Sequence, residues 1–172
     1  APEFHLMNLR YFNPVGAHPS AKIGEFPIGK PNNLLPFVTQ TAIGKQACLT
    51  VFGDDYPTRD GSCVRDYIHV MDLAEAHVQA IQFLEKQENG CLEAVNIGTG
   101  TGTTVLEVIR VFEAVTNQAL NYQIGPKREG DVMEIYANAT KSKELLDWNV
   151  SRTIEDAVRD AWNWELALNQ QA

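Results

Sequence analysis

The feature that most constrains the fold is a strand, a glycine-rich turn and a capped helix in immediate succession. Residues 94–97 are mostly apolar and predict a buried strand. A turn with three glycines follows at residues 98–102, and Thr104 and Glu107 then have the spacing of a capping box that begins a helix. Residues 94–112 therefore predict a β-α unit, which is typical of α/β proteins.

Further helices and strands alternate along the rest of the chain. Residues 14–31 contain no periodic pattern and predict a long loop, which is uncommon unless it is functional or mobile. The interleaving favours an α/β architecture over an all-helical bundle or a β-sandwich, although the elements are too few to close a doubly wound sheet. Apolar spacing and end signals predict helices over residues 34–43, 73–84, 141–146 and 154–168 and strands over residues 9–12, 49–52 and 120–124.

The chain is acidic, with a formal net charge of −8 and a pI near 4.9. Neither a nucleic-acid backbone nor an anionic membrane would find a dominant basic field on it, although a small anion can bind through local groups. No apolar run approaches the roughly 20 residues needed to span a bilayer. Cys48, Cys63 and Cys91 lie far apart and outside any CxxC pattern, which predicts reduced thiols in a cytoplasmic protein rather than disulfides or a zinc site.

The first seven residues show neither periodicity nor a helix cap, and their Glu-Phe pair is typical of a vector-encoded junction. We therefore interpret residues 1–7 as extraneous and residues 8–172 as the native domain. The strand of residues 9–12 is expected to end at Asn13, because Pro14 interrupts strand pairing.

The glycine-rich turn raises the question of dinucleotide binding, because it follows a strand and precedes a helix. Its spacing departs from the dinucleotide fingerprint, since Thr103 occupies the position of the third glycine. The sequence therefore favours a tight turn before a capped helix over a cofactor-binding loop.

Two arginines at loop edges, Arg65 and Arg128, are candidates for binding an anion. A guanidinium group can bind a phosphate through two hydrogen bonds, so two converging arginines would suit a pyrophosphate. The alternative is that each is a solvated or ion-paired surface group. Asp131 follows closely and either accepts from a sugar hydroxyl or orients Arg128.

Other polar and aromatic residues at element boundaries have both a structural and a functional interpretation. Asn13 and Asn33 are expected in loops, where asparagine commonly forms a turn or a helix cap. Phe52 and Tyr67 end strands and are either core residues or the border of a nucleobase site. His69 lies between apolar neighbours, which favours a structural role over metal binding or acid–base chemistry, and no metal is predicted.

Several sequence blocks form a specific combination along the chain. They are LRYFNPVGAH at 9–18, PNNL at 31–34, VFG at 51–53 with DYPTxDG at 55–61, VRDYIHV at 64–70, NIGTG at 96–100 and RxGD at 128–131. In order and spacing they resemble UDP-glucose 4-epimerases, which are extended short-chain dehydrogenase/reductases, from about Asn8 to the carboxyl end. The Tyr-Pro-Thr-x-Asp-Gly segment is more specific to these epimerases than to other members of that superfamily.

The resemblance implies a two-part enzyme with an amino-terminal Rossmann domain that holds NAD and a smaller carboxy-terminal domain that binds a UDP-hexose. Residues 8–172 would then be the α/β, carboxy-terminal substrate-binding part with the last strands of an incomplete Rossmann sheet, and the amino-terminal NAD-binding domain would be absent. Such enzymes interconvert UDP-glucose and UDP-galactose through a 4-keto intermediate, using bound NAD, and are typically homodimers.

The resemblance also implies roles for particular residues. Arg65 and Arg128 would bind the pyrophosphate, and Asp131 the ribose hydroxyls. The other substrate contacts would come from Asn13 and Asn33 at the phosphate and sugar end, and from walls around uracil and ribose formed by Leu34, Thr50, Phe52, Tyr67 and Val105. Tyr11 and Phe12 would lie near the nicotinamide end of NAD and be exposed in this chain.

Two departures from the family pattern matter. The glycine-rich fingerprint, the catalytic serine or threonine and the Tyr-x-x-x-Lys dyad are absent, so we predict no catalytic residue in this chain and no epimerase activity by itself. Ile135 stands where family members carry a bulky tyrosine or a small residue, which is associated with excluding or admitting N-acetylated sugars. UDP-N-acetylhexosamines are therefore candidate substrates beside UDP-glucose and UDP-galactose.

Two other interpretations stay open at this point. A related nucleotide-sugar epimerase or decarboxylase would share the fold but not the Pro-Thr-x-Asp-Gly block. A stand-alone UDP-sugar-binding module is favoured by the missing dyad, because such a module needs no proton-transfer group.

Overall fold

The computed structural model describes residues 4–170. The strands are β1 His5–Tyr11, β2 Asn13–Val15, β3 Leu49–Phe52, β4 Val64–Arg65, β5 Tyr67–His69, β6 Cys91–Ile97, β7 Thr103–Thr104, β8 Tyr122–Gly125 and β9 Glu134–Ile135. The helices are α1 Leu34–Ala42, α2 Val70–Glu85, α3 Val105–Thr116, α4 Thr140–Leu146 and α5 Ile154–Gln170. None of these helices is both long and apolar enough to cross a membrane.

Most strand pairs are parallel, which confirms the predicted α/β class. β1 pairs in parallel with β6 from His5 opposite Cys91 to Tyr11 opposite Ile97, and β2 pairs in parallel with β5. β3 pairs in parallel with β8, while β4 lies between antiparallel β7 and parallel β9. Parallel neighbours need long connections, and α2 forms part of the one that leads from β1 to β6.

Two hydrophobic clusters hold these layers together. The first packs α1, α3 and α5 against β3 and includes Val51, Phe112 and Val158, with the ring of Trp162 edge-on to Phe112 at 5.5 Å. The second lies between the β1–β6 pair and helices α2 and α4, around Ile97. The first cluster backs the site described below, because β3 and the start of α3 belong to both.

Locally specified elements match the sequence predictions. β3 has the predicted bounds, and α1 ends one residue before the predicted end, ahead of Gly44 with φ +85°. The capping box of α3 is complete, since the Thr104 hydroxyl accepts from the Glu107 amide at 3.0 Å and the Glu107 carboxylate accepts from the Thr104 amide at 2.8 Å. The glycine-rich turn thus leads directly into a capped helix.

The amino-terminal part differs from the prediction. β1 begins at His5 instead of Leu9, because residues 5–7 pair with β6. Asn13 begins strand β2 and does not lie in a loop, since its amide donates to the carbonyl of Asp66 at 3.0 Å. Pro14 interrupts nothing, because a proline is tolerated in an edge strand where its missing N–H has no acceptor opposite. The interpretation of residues 1–7 as extraneous stays a prediction, and residues 1–3 lie outside the described residues.

A buried carboxylate, that of Asp66, joins three separate segments. Asp66 is fully buried between β4 and β5. One of its oxygens accepts from the Thr99 amide at 2.9 Å and the Thr99 hydroxyl at 2.7 Å, and the other accepts from the amides of Gly100 at 3.0 Å and Ala137 at 3.1 Å. Gly98 allows this approach, because an added Cβ would lie 2.5 Å from the Asp66 carboxylate.

Replacing this carboxylate by an amide should destabilise the chain. In Asp66→Asn, the side chain keeps one acceptor oxygen, so its NH₂ group must face at least one N–H group that loses its acceptor, that of Thr99 or that of Ala137, at a cost of about 1–3 kcal/mol. Urea unfolding measures this loss. Asp54→Asn, at an exposed position, is the matched control and should unfold as the unchanged chain does. Equal stability of the two variants would contradict the role given to Asp66.

Candidate functional site

A cavity of about 530 Å³ lies between the loop before α1, strands β2 to β5 and the loop that precedes β9. All of the substrate-binding residues predicted from the sequence line it except Ile135. The lining residues from that prediction are Asn13, Asn33, Leu34, Thr50, Phe52, Arg65, Tyr67, Val105, Arg128 and Asp131.

Two arginines converge on one carboxylate in this cavity. Arg128 donates to both oxygens of Asp131, at 2.9 and 3.0 Å, and Arg65 lies 3.5 Å from the same carboxylate. Arg65 is also held by the carbonyl oxygens of Val64 at 2.8 Å and Val132 at 2.6 Å. The convergence suggested by the sequence is therefore present, and Asp131 orients both guanidinium groups.

The aromatic ring of Phe52 supports the second arginine. The guanidinium carbon of Arg128 lies 4.6 Å from the centre of this ring, within the range of a cation–π contact. The hydrogen bonds to Asp131 raise the pKa of Arg128, so its charge persists at any pH near neutrality. The site thus presents fixed positive charge beside an aromatic surface.

The walls of the cavity combine buried and half-exposed side chains. Tyr67 is buried, and this burial raises the pKa of its phenol, which therefore stays neutral and is a hydrogen-bonding group only. Leu34 and Val105 are half-buried and pack against the first hydrophobic cluster. Thr50 is reached by the side-chain amide of Gln123 at 3.4 Å. The lining therefore combines apolar walls with a comparable share of polar and charged groups.

Asn33 does not form the expected helix cap. It occupies the N-cap position of α1, but its side chain makes no capping hydrogen bond. Its amide instead donates to the Glu25 carboxylate at 2.7 Å, because the preceding long loop folds back beside the helix start. Both asparagines nevertheless face the cavity, Asn13 from β2 and Asn33 from α1.

Three predicted site residues lie outside this cavity. Ile135 is on β9, opposite Arg65, with its side chain exposed. Tyr11 is at the end of β1, exposed and 6.5 Å from the ring of His77. Phe12 follows it but is half-buried, so the expectation that both aromatic residues are exposed is wrong for Phe12.

The glycine-rich turn is not a dinucleotide cradle. The amides of Thr99 and Gly100, which would have to donate to a pyrophosphate, already donate to Asp66. The tight-turn interpretation therefore fits this geometry, and residues 98–102 do not fit the pyrophosphate of NAD. The assignment of Tyr11 and Phe12 to the nicotinamide end of NAD stays a prediction.

His69 has a structural role, as its apolar neighbours indicated. One ring nitrogen accepts from the Met71 amide at 3.1 Å and caps α2, and the other lies 3.2 Å from Asp160. Burial lowers the pKa of His69 against the opposing effect of Asp160. Within residues 4–170, no group of three His, Cys, Asp or Glu side chains is arranged to hold a metal ion.

Sequence reasoning missed several lining residues, notably Lys30, Phe37, Cys48 and Cys63. Lys30 and Phe37 flank Asn33 and Leu34 in the chain, so their closeness to recognised site residues was the available signal. Cys48 and Cys63 flank β3 and β4, and only the three-dimensional arrangement brings them to the cavity.

Comparisons with known proteins identify the family of this chain. A model of the GDP-mannose 4,6 dehydratase family matches residues 1–161. The UDP-glucose 4-epimerase of Erwinia amylovora is 52% identical over 164 residues, which are 95% of this chain and 48% of that protein. The chain thus spans about half the length of the curated relatives it matches.

Solved structures give the same relationship. The UDP-glucose 4-epimerase of Stenotrophomonas maltophila, with bound NAD and formylated UDP-arabinopyranose, has a TM-score of 0.95 and 47% identity, covering 99% of this chain and 50% of that one. The enzyme from Bifidobacterium longum, in complex with NAD⁺ and UDP, has a TM-score of 0.92 and 42% identity over the same shares of the two chains. The resemblance to UDP-glucose 4-epimerases is thereby confirmed, and the chain belongs to the GDP-mannose 4,6 dehydratase family, matched over half the length of its epimerase relatives.

Proposed function

We propose that this chain is the UDP-hexose-binding, carboxy-terminal part of a UDP-glucose 4-epimerase. The observation that carries the proposal is the convergence of Arg65 and Arg128 in one cavity with Phe52 and Tyr67. The volume of about 530 Å³ falls within the roughly 300–1,000 Å³ usual for small-molecule sites.

In this proposal the cavity binds the diphosphate firmly and the hexose loosely. Two guanidinium groups bind a diphosphate through charge-assisted hydrogen bonds, which are the strong contacts of the site. With the diphosphate bound, Asp131 keeps both arginines oriented. The free lone pairs of its carboxylate accept hydrogen bonds from the ribose hydroxyls. Uracil lies between the apolar walls, against Leu34 and Phe52. The hexose, held by few polar groups, stays free to turn.

The parts near the nicotinamide belong to the same proposal. NAD would supply the hydride-transfer chemistry in the complete enzyme. Tyr11 and Phe12 close the end of β1 beside that cofactor and exclude water from it. The 172 residues contain no Tyr-x-x-x-Lys pair, so the proton-transfer groups of the reaction come from elsewhere in the complete enzyme.

We expect this chain to bind UDP without catalysing epimerisation. Calorimetric titration with UDP measures the first part, and an assay with NAD and UDP-galactose measures the second. Arg128→Ala should weaken UDP binding about 10- to 100-fold, the worth of hydrogen bonds to a charged group, while uridine binding changes little.

The matched control is Arg159→Ala, because Arg159 also pairs with an aspartate three residues away but lies on α5, outside the cavity. It should leave UDP affinity unchanged. An absence of UDP binding, or an equal loss of UDP and uridine affinity in Arg128→Ala, would contradict the proposed anchor.

We also propose that the complete enzyme accepts UDP-N-acetylhexosamines. Ile135 lies opposite Arg65 at the edge of the site, and its side chain is smaller than a tyrosine there would be. The complete enzyme should turn over UDP-N-acetylglucosamine, and Ile135→Tyr should abolish this turnover while preserving that of UDP-galactose. If the unchanged enzyme does not turn over UDP-N-acetylglucosamine, the proposal is wrong.

A cytoplasmic homodimer is the proposed state of the complete enzyme. The three cysteines of this chain, all within the described residues, are free, which agrees with a reducing compartment. Leu92, Val78 and Ile81 expose apolar side chains on β6 and α2, as expected of surfaces covered in a larger assembly. Light scattering of the complete enzyme should give the mass of two chains, and the mass of one chain would refute dimerisation.

A further inference from the structure

A third cation lines the proposed UDP site beside the two arginines. Lys30, in the loop before α1, faces the cavity shared with Arg65 and Arg128. Its ammonium group lies 5.3 Å from the centre of the Phe37 ring, over a wall of the same cavity. The position between Gly29 and Pro31 carries no binding motif, so the sequence alone gave it no role.

The ammonium group of Lys30 has no carboxylate partner in the described part of the chain. Lys45, Lys127 and Lys141 each form an ion pair with a carboxylate, at 2.8, 2.8 and 2.6 Å. Within residues 4–170, Lys30 forms none, as is also true of Lys22, Lys86 and Lys143, but of these four only Lys30 lines the cavity, where it rests on an aromatic face. An unneutralised cation at the wall of a cavity attracts an anionic ligand more strongly than a paired one.

The charge balance of the cavity indicates that Lys30 helps to neutralise an anionic ligand. The charged lining residues are three cations and the single carboxylate of Asp131, which leaves a formal charge of +2 in a chain whose net charge is −8. The diphosphate of a nucleotide sugar carries one negative charge on each phosphate. Lys30 therefore brings the cavity to the charge that neutralises this group, and without Lys30 only half of it would be neutralised.

We propose that Lys30 is a further substrate-binding residue that contacts the diphosphate of the nucleotide sugar together with Arg65 and Arg128. This inference rests on the proposed UDP site and adds a third cation to it. On ligand entry the ammonium group leaves the Phe37 ring and approaches a phosphate oxygen. The flexible lysine stem permits this movement, whereas the two arginines are already fixed by Asp131 and by backbone carbonyl groups.

The test is titration of the unchanged chain, Lys30→Met and Lys22→Met with UDP and with uridine, at low and at high salt. Lys30→Met should weaken UDP binding about fivefold at low salt, as expected for a partly exposed ion pair, and less at high salt. Uridine binding should not change, and Lys30→Arg should restore UDP affinity. Lys22→Met makes the same chemical change in the same loop, outside the cavity, and should have no effect.

Each contrary outcome points to a different failure. If Arg128→Ala loses UDP affinity but Lys30→Met does not, the UDP site stands and the role of Lys30 is wrong. If Lys30→Met weakens uridine as much as UDP, or its effect does not depend on salt, the lysine acts on the shape of the site and the proposal fails. If the unchanged chain binds no UDP, both the site and the role of Lys30 are overturned.

Discussion

The site depends on the burial of one carboxylate. Successive side chains of an extended segment point to opposite sides, so Arg65 and Tyr67 face the cavity while Asp66 between them faces the interior. Four hydrogen bonds from Thr99, Gly100 and Ala137 fix Asp66. The interior anchor thereby sets the position of two residues that line the cavity, although Asp66 itself does not line it.

The wall of the cavity formed by the loop before β9 is held largely by side-chain contacts. In the loop before β9, Lys127 pairs with Asp55 at 2.8 Å and lies 4.5 Å from the ring centre of Tyr56. Arg128 lies on Phe52 and Asp131 reaches Arg65, so one short loop is tied to two strands. A site built in this way combines a side anchored by Asp66 with a side held by charged and aromatic contacts and by hydrogen bonds to the backbone of Val132 and Met133.

The parts that the sequence predicted are those decided within a few neighbouring residues. The capping box of α3, the end of α1 and the bounds of β3 follow from local spacing and end signals. The short strands β2, β7 and β9 were missed, because strands of two or three residues carry no periodic pattern and form only when a distant partner is in place. Asn33 was expected to form a turn or a helix cap. Its side chain instead binds Glu25, which lies in a loop whose path cannot be derived from local sequence.

The long parallel pairing of β1 with β6 has a consequence for folding speed. Its register joins His5 to Cys91, so nearly half of the chain must be gathered into a closed loop before the pair yields any free energy. Closing such a loop lowers the chain entropy before the contacts of the strand pair can offset this cost. Parallel long-range pairs are therefore slow to form. The local units, such as the capped α3 and its glycine turn, are available from the start. The chain is therefore expected to form these local units first and to add its long-range parallel pairs, β3 with β8 as well as β1 with β6, afterwards.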